Sequence, residues 1–443
     1  DEMRSWYLTL RPGDARLKKL RGRVVEELIP QLAAEGEALA GEDLELLDDE
    51  QLAEAIEQRR DILAKWKKIY WDEFIPFAHG VRRLATYYND AVQPDDPYEF
   101  VGLLRDQPLL ATQRNQAIRE LAQQLAANDM LRRTVEAKLA QHGGAVKWPV
   151  LRNDLLRTGV EAERFSKAFE ALSDRFLDIV YDDERLHDQP EVVLKNLVEL
   201  SRSANHSDDE PQTQTMAILE NRLLDAVGSE RRDEAIDVIE TGRVSWKLRD
   251  DDNLLVARLE SQLLRAAAVA AERLRDSGRL IADVQLNESH APTLVHALRE
   301  PSIETITIET KAEPHVSADK DGVTGETPRQ LIGQPASPGV VTSTVRCIRS
   351  HKDLGKFKQG EVLVCDAIQP TMTHLVPLAS AIVERRGGML IHGAIIAREL
   401  GIPCVNGVRK AADILHDGDF VTVDGHLGIV TVGAADFELE LRR

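Results

Sequence analysis

The most constraining feature of this chain is one string of residues near its C-terminus, 387–403, which reads GGMLIHGAIIARELGIP. It follows an apolar run at 381–383 that is typical of a short buried strand. The glycine pair suits a turn, residues 393–400 suit a helix, and the closing Gly-Ile-Pro is typical of a helix end. A strand is expected to resume at Cys404. The string therefore predicts a strand–turn–helix–strand unit in which His392 stands where the helix begins.

The first turn of a helix has backbone N–H groups without partners inside the helix, and this end of the helix dipole is positive. An imidazole at this position lies beside a natural anion site, so a phosphate carried on His392 would be well placed. The alternative interpretation is an ordinary βαβ unit with a structural histidine at the start of its helix.

The whole string resembles the phosphohistidine segment of the phosphoenolpyruvate-utilising enzymes. These include pyruvate phosphate dikinase, phosphoenolpyruvate synthase, Enzyme I of the sugar phosphotransferase system and rifampin phosphotransferase. The resemblance rests on the glycine pair, the histidine, the Ala-Arg pair and Gly-Ile-Pro at matching spacing. It implies that His392 is transiently phosphorylated. The residues expected beside the phosphoryl group are Arg386, Gly387, Gly388, Gly393 and Arg398.

The two arginines of that set have alternative roles. Arg386 and Arg398 can balance phosphate charge, or they can pair with Glu384 or Glu399. The sequence also departs from the family just before the histidine, where most members carry a hydroxyl pair and this chain has Leu390 and Ile391. Regulation by phosphorylating a threonine at position 390 is therefore impossible here, whereas the nucleophile is kept.

The resemblance extends over about residues 331–433. Short β-rich runs separated by Gly, Asp and Pro turns lie at 331–341, 360–364, 417–425 and 428–430. Helices are expected near 372–380, 393–400 and 409–415. By resemblance this is the family's swivelling phosphohistidine domain, a β/β/α fold.

Charge supports a separate C-terminal module. Residues 331–443 hold 12 Lys+Arg and 12 Asp+Glu, whereas the whole chain has 56 and 75. The net charge of −19 therefore belongs to the N-terminal part. We predict a multidomain chain: a mostly α-helical acceptor-binding region at 1–308, a hydrophilic linker at 309–330 and the swivelling domain at 331–443.

Composition excludes several classes of protein. No apolar run approaches the 18 residues of a membrane span, and the acidic balance makes nucleic acid an unexpected partner. Three cysteines without CxxC spacing favour reduced thiols over a disulfide framework or a zinc site, and no metal site is expected on this chain. The expected location is the cytoplasm.

The N-terminal region shows apolar positions three and four apart, the pattern of amphipathic helices. This pattern predicts helices at 44–69, 112–125, 130–142, 160–174, 190–203, 212–227 and 254–275. Helix bundles can hold ligands between facing helices.

One segment of this region, residues 70–90, is dense in aromatic side chains for a chain that has 5% of them. Phe77, His79, Arg82 and Tyr87 can form a pocket for an aromatic or polyketide acceptor. The alternative is a packing seam between helices. Together with residues 243–253, the segment resembles the acceptor-binding region of rifampin-phosphotransferase-like and phosphoenolpyruvate-synthase-like proteins.

The second segment, residues 243–253, has three adjacent carboxylates, Asp250 to Asp252, with arginine and asparagine nearby. These groups can hold a metal or a substrate. Alternatively, they form the N-cap and first turn of the helix expected at 254.

No P-loop and no ATP-grasp-like region is recognisable in the chain. The resemblance implies an ATP-grasp domain or partner subunit that loads His392, with ATP and Mg²⁺ at that loading site rather than on this chain. The expected activity is a phosphotransferase that passes the phosphoryl group to the hydroxyl of a small aromatic, enol or polyketide acceptor. The alternatives are a phospho-carrier subunit, as in phenylphosphate synthase, and a non-catalytic regulator.

Overall fold

The computed structural model describes residues 14–104, 107–141, 148–181, 183–202, 213–280, 286–300, 302, 305–306, 329–388 and 391–433. Most of the predicted linker, 309–330, lies outside these residues, so the predicted domain boundaries stay predictions. Met389 and Leu390, which directly precede Ile391 and His392, also lie outside them.

Helices dominate the described residues before 301. In chain order the α-helices are α1 (Arg16–Arg23), α2 (Ile29–Ala40), α3 (Asp49–Ile69), α4 (Ile75–Phe77), α5 (His79–Val92), α6 (Leu110–Ala127), α7 (Asp129–Gln141), α8 (Trp148–Leu156), α9 (Val160–Leu172), α10 (Pro190–Ser201), α11 (Thr213–Val227), α12 (Arg232–Asp276), α13 (Ala291–Arg299), α14 (His351–Leu354), α15 (His392–Leu400) and α16 (Ala411–Ile414). π-Helical turns lie at Val24–Leu28, Tyr70–Phe74 and Ser173–Leu177, and 3₁₀ turns include Leu44–Leu46, Glu99–Leu104, Leu186–Asp188, Ser229–Arg231, Glu288–His290 and Pro370–Leu378. The prediction of a mostly helical N-terminal region is confirmed.

The chain forms two compact units, each of which combines segments that are distant in sequence. The first contains residues 1–110 and 208–308, and the second contains residues 111–207 and 309–443. The helices α6 to α10 therefore belong with the C-terminal sheet rather than with the other N-terminal helices.

The first unit is organised around α12, a helix of 45 residues that packs against α2, α3, α5 and α13. The predicted helix start at residue 254 is wrong, because α12 begins at Arg232. Its interior contains no proline, and its one glycine, Gly242, is needed because a Cβ there would lie 2.6 Å from Leu84 Cδ2. The carboxylates expected to cap a helix at 254 lie instead in the middle of α12.

The core of the first unit is aliphatic with a few large aromatic side chains, among them the fully buried Trp66 and Phe77. Trp66 donates from its indole N–H to Glu35 Oε2 at 2.6 Å, so its polar atom is satisfied at the edge of the core. The helix that carries Trp66 begins with a capping box formed by Asp48 and Gln51. Sequence pattern and cap together account for the position of α3.

The second unit contains a mixed sheet of eight strands. These are β3 (Gln330–Ile332), β4 (Gln334–Ser337), β5 (Val340–Ile348), β6 (Val362–Cys365), β7 (Ala381–Glu384), β8 (Cys404–Asn406), β9 (Phe420–Asp424) and β10 (Ile429–Val432), after the small hairpin β1 (Val180–Tyr181) and β2 (Glu184–Arg185). The spatial order is β3-β10-β9-β5-β6-β7-β8-β4. The predicted C-terminal β-rich domain and its closing hairpin, β9 and β10, are confirmed.

The four central strands, β5 to β8, are parallel neighbours. Carboxyl ends of parallel strands meet at one edge of a sheet, which is where α/β proteins place their ligands. The turns that follow β6, β7 and β8 therefore lie side by side, and the turn after β7 is the one that leads to His392.

The alternating direction of side chains along β6 and β7 decides which of them contact α15. Both β6 and β7 are buried along their whole length, as expected for parallel strands covered on both faces. Val362, Val364, Ala381 and Val383 join one core cluster with α16. Because successive side chains point to opposite faces, Glu384 lies on the other face, where α15 packs.

The C-terminal helices occur close to the predicted places. The helix expected at 393–400 is α15, and the one expected near 409–415 is the shorter α16. The segment near 372–380 is a 3₁₀ helix, Pro370–Leu378, which contains Pro377. In the described part of the chain, no helix has the length and apolar character needed to cross a membrane.

Two helical glycines of the first unit provide a test of its packing. A Cβ at Gly80 would lie 2.7 Å from Ser245 Cβ and 2.9 Å from Thr241 O, so we expect Gly80→Ala to lower the free energy of unfolding by about 1–3 kcal/mol. Gly36→Ala is the control: its nearest atoms would be at 3.7 Å, and alanine favours the helix by up to about 1 kcal/mol. Urea denaturation of both variants measures the difference. Equal destabilisation by the two would contradict the close packing of α5 on α12.

Candidate active site

His392 is the first residue of α15 and is partly exposed. The preceding residue, Ile391, is the N-cap, with extended backbone angles of φ −85° and ψ 161°. An isoleucine side chain has no polar atom, so it cannot satisfy the free N–H groups of the first turn. The imidazole thus stands beside backbone donors that its own N-cap side chain leaves open.

Backbone hydrogen bonds join the turn after β7 to the turns on both sides. Arg386 N donates to Asp366 O at 2.9 Å, next to the end of β6. On the other side, Gly407 N donates to Arg386 O at 3.0 Å, and the side chain of Asn406 donates to Gly388 O at 2.9 Å. The start of α15 is therefore positioned largely by main-chain contacts to neighbouring strands.

Each glycine of the pair has its own geometric reason. Gly388 has a φ of 147°, a conformation that L side chains rarely adopt. At Gly387 the constraint is distance, because an added Cβ would lie 3.3 Å from the Cα of Gly407. The predicted turn is confirmed, and it depends on both residues.

Glu384, the last residue of β7, is fully buried against the first turn of α15. Its Oε1 accepts a hydrogen bond from Ile368 N at 2.6 Å, while Oε2 has no partner among the described residues. A Cβ added to Gly393 would lie 2.3 Å from Oε2, so only glycine leaves room for the carboxyl group. Burial, and then the charge of Asp366, raises the pKa of Glu384 to about 7.

The charged side chains nearest to the turn are paired. Arg385 and Arg386 both form ion pairs with Asp366, and the Arg386 Nε–Asp366 Oδ2 distance is 2.9 Å. Asp366 was not among the partners that the sequence suggested for Arg386, which were Glu384 and Glu399. Arg398 is buried in the last turn of α15, six residues or about 9 Å along the helix from His392. Direct contact of either arginine with a phosphoryl group stays a prediction.

The 3₁₀ helix Pro370–Leu378 packs on α15 and α10 and supplies polar groups that the sequence did not single out. The guanidinium of Arg114, buried on α6, donates to Thr373 Oγ1, and Asn115 Nδ2 donates to Thr373 O at 3.3 Å. Burial, and then the charge of Arg114, lowers the pKa of His374 to about 3, so this imidazole is neutral at physiological pH. His374 cannot compete as a general acid there.

The four predicted acceptor-binding residues lie on α4 and α5 in the first unit, but their side chains serve different contacts. Phe77 is in the hydrophobic core, and His79 is buried with its pKa lowered by burial and by the charge of Arg82. Arg82 itself is exposed. Tyr87 donates to Glu234 Oε2 at 3.3 Å and has the guanidinium of Arg231 over its ring. Acceptor binding by these residues stays a prediction.

The segments 70–90 and 243–253 are brought together by the packing of α5 on α12. Ser245 Oγ donates to Phe77 O at 2.8 Å, and Tyr70 Oη lies 3.5 Å from Asn253 Oδ1. Burial, and then the charge of Asp252, raises the pKa of Tyr70 to about 12. Within the described ranges, no group of three or more His, Cys, Asp or Glu is arranged to hold a metal ion.

A cleft of about 510 Å³ lies elsewhere in the second unit, lined by residues of α7 and α10 and by the turn at 355–358. Its walls are rich in cationic side chains, but Arg202, Arg346 and Lys356 form ion pairs with carboxylates. None of the residues that line this cleft belongs to the turn that leads to His392.

Glu384 is the main site residue that sequence reasoning passed over. The signal was present, because a carboxylate ends an otherwise apolar buried run at 381–384. A charged residue that continues a buried strand pattern requires a reason in the fold or in the chemistry. Arg114 and Thr373 carried no comparable signal, since their proximity arises only from the tertiary structure.

Comparison with known protein families matches residues 357–428 to "PEP-utilising enzyme, mobile domain". This range contains the sheet centre, the glycine turn and α15. The C-terminal part of the chain therefore contains a mobile domain of the kind found in PEP-utilising enzymes.

Three relatives illustrate the range of similarity. The uncharacterized phosphotransferase YvkC of Bacillus subtilis is 46% identical over 106 residues, which is 24% of this chain and 13% of YvkC. A probable phosphoenolpyruvate synthase of Archaeoglobus fulgidus is 40% identical over 140 residues, 31% of this chain and 18% of that protein. Chondramide synthase cmdD of Chondromyces crocatus is 24% identical over 474 residues, covering 92% of this chain and 12% of cmdD. The chain thus spans less than a fifth of the length of each of these relatives.

The raised pKa of Glu384 predicts a pH dependence of stability. Because the folded-state pKa lies above the unfolded one, this carboxyl group destabilises the fold as pH rises, and the loss is complete above about pH 7. At about 1.4 kcal/mol per pKa unit, we expect Glu384→Gln to gain roughly 3 kcal/mol relative to wild type between pH 4.5 and pH 8. Urea denaturation at both pH values measures this gain. A constant difference between the two proteins across that range would contradict a raised pKa.

Proposed function

We propose that this chain is a phosphotransferase in which His392 is transiently phosphorylated and relays a phosphoryl group from a loading site to an acceptor hydroxyl. The observation that carries the proposal is the position of His392 at the start of α15, beside backbone donors that the Ile391 side chain cannot satisfy. The match of residues 357–428 to the mobile domain of PEP-utilising enzymes and the phosphotransferase name of a relative support the same role.

In the first step the neutral imidazole of His392 attacks a phosphorus atom of the donor. A P–N bond forms and the P–O bond to the leaving nucleotide oxygen breaks, in line with the attack. The backbone N–H groups at the start of α15, where the helix dipole is positive, stabilise the negative charge that arrives on the imidazole.

In the second step an acceptor hydroxyl attacks the same phosphorus, the P–N bond breaks and the imidazole is free again. A covalent relay divides one transfer between separate sites into two in-line displacements. The acceptor class we propose is a small molecule with an aromatic, enol or polyketide hydroxyl, bound by the helical part of the chain. Phe77, His79, Arg82 and Tyr87 remain the candidate residues for that binding.

Loading requires a donor, and we propose ATP bound with Mg²⁺ by an ATP-grasp domain or partner subunit. A relative named probable phosphoenolpyruvate synthase supports chemistry of the dikinase type. In that chemistry the imidazole attacks the β-phosphorus and AMP leaves, and water then removes the terminal phosphoryl group as inorganic phosphate, so that the β-phosphoryl group stays on the histidine. Backbone contacts fix the turn around His392, so the site can be carried as a rigid unit between donor and acceptor.

One observation favours an alternative role for the helical part. Phe77 is committed to the hydrophobic core, and Tyr87 is held by Glu234 and Arg231. If these contacts persist with an acceptor present, the chain acts as a phospho-carrier subunit that docks a protein partner. If His392 is never phosphorylated, the chain is a non-catalytic regulator.

The test uses ATP labelled at the β-phosphate, incubated with this chain and a cell extract or purified ATP-grasp partner. We expect acid-labile label on the chain that requires both the partner and His392, so His392→Ala should lose it completely. His426→Ala is the matched control, since His426 is an exposed histidine in the same sheet domain.

Retention of label by His392→Ala, or no label on the wild-type chain with either ATP or phosphoenolpyruvate as donor, would overturn the relay. Transfer of label onward to small hydroxyl compounds would favour the phosphotransferase, and transfer only to another protein would favour the carrier.

A further inference from the structure

The buried carboxyl group of Glu384 faces the start of α15. Glu384 has no exposed surface, and its Oε2 has no hydrogen-bond partner among the described residues. That oxygen occupies the space where a Cβ of Gly393 would stand. An unsatisfied polar atom in a buried position is unfavourable for folding, so it requires an explanation in function.

The helix end that Glu384 faces has an excess of donors. α15 has nine residues, Ile391 gives it no side-chain cap, and its first backbone bond runs from Ile395 N to Ile391 O at 3.0 Å. The N–H groups before Ile395 therefore have no partner within the helix. A carboxyl group and a phosphoryl group on His392 would both lie at this end of α15.

The ionisable groups around Glu384 come from every element packed on it. Cys365 at the end of β6, Asp366 after it and Cys404 in β8 interact electrostatically with Glu384, and α15, which packs on β7, carries His392 and Arg398. Asp366 is held by Arg385 and Arg386, and burial raises the pKa of both thiols well above the usual range. Near neutral pH the group best placed to exchange a proton in response to phosphorylation is therefore Glu384.

We propose that Glu384 is a positioning residue that takes up a proton when His392 is phosphorylated, and that its O–H then holds the phosphoryl group at the start of α15. This inference rests on the proposed phosphorylation of His392. In this proposal Glu384 binds a proton when His392 is phosphorylated. The phosphoryl group is then the hydrogen-bond partner of Oε2.

The physical reason is charge. A phosphoryl group brings roughly one to two negative charges at neutral pH, and in a buried setting it repels an ionised carboxylate strongly. Protonation of Glu384 removes the repulsion and turns Oε2 into a donor. Linkage is reciprocal, so phosphorylation raises the proton affinity of Glu384 and protonation favours phosphorylation by the same factor.

The test uses phosphoramidate as donor, so it needs neither ATP nor a partner. The P–N bond of phosphoramidate breaks, a P–N bond to the imidazole of His392 forms, and ammonia leaves with the imidazole proton. Added ammonia lets the reaction be approached from both directions. Mass spectrometry of the peptide that contains His392 measures the equilibrium constant between pH 6 and pH 9 in wild type, Glu384→Gln and Glu399→Gln.

We expect the ratio of the wild-type to the Glu384→Gln equilibrium constant to fall about tenfold from pH 6 to pH 9, which corresponds to a rise of one pKa unit on phosphorylation. Dividing the wild-type equilibrium constant by that of Glu384→Gln cancels the pH dependence of the imidazole and of ammonia, because both proteins share it. Glu399→Gln, on the same helix, should follow wild type. A ratio that stays constant with pH would overturn the proposal.

A second measurement needs no variant. The carboxyl ¹³C signal of Glu384 can be titrated by NMR in the wild-type chain before and after phosphorylation by phosphoramidate. The expected result is a titration midpoint that moves to higher pH by about one unit on phosphorylation. An unchanged midpoint would overturn the proposal even if Glu384→Gln does not fold. Because phosphoramidate bypasses the loading partner, these results stand apart from success or failure of ATP-dependent labelling.

Discussion

The candidate site depends on the hydrogen bonding of three adjacent turns at the carboxyl edge of the parallel strands. The turn after β7 donates to the turn after β6 and accepts from the turn after β8, with Gly387 and Gly407 in close approach. Such contacts need no particular side chain except the absence of a Cβ at the crossing. They hold Arg386 and Gly388, which precede α15 in the chain, against the ends of the neighbouring strands.

The electrostatics of the site combine two opposite tendencies. The start of α15 favours negative charge, whereas the apolar surroundings of β6, β7 and β8 disfavour an ionised carboxylate. Glu384 lies where both tendencies act, so its pKa falls near neutral pH. A group in this position lowers stability when it ionises, and functional sites commonly retain such groups because the chemistry requires them.

The helical part of the chain serves more than one structural purpose. Helices α6 to α10 belong to the same compact unit as the sheet, whereas α12 packs against α2, α3, α5 and α13 in the other unit. The residues chosen from sequence for acceptor binding lie in that latter unit, where Phe77 packs in the core and Tyr87 forms a hydrogen bond and a ring contact. Aromatic density alone does not separate a binding pocket from a packing seam, since both bury the same side chains.

The sequence by itself determined the strand–turn–helix–strand unit, because its signals are local. The glycine pair, the helix period and the closing Gly-Ile-Pro each act within a few residues, so His392 could be placed at the helix start without the fold. The start of α12 could not be located, since no local signal separates a cluster of carboxylates that caps a helix from one inside it. Only the tertiary structure brought Arg114 to Thr373 and Glu384 to Gly393. Contacts between residues distant in sequence, and the burial that moves the pKa of Glu384, are properties of packing, which residue order alone does not specify.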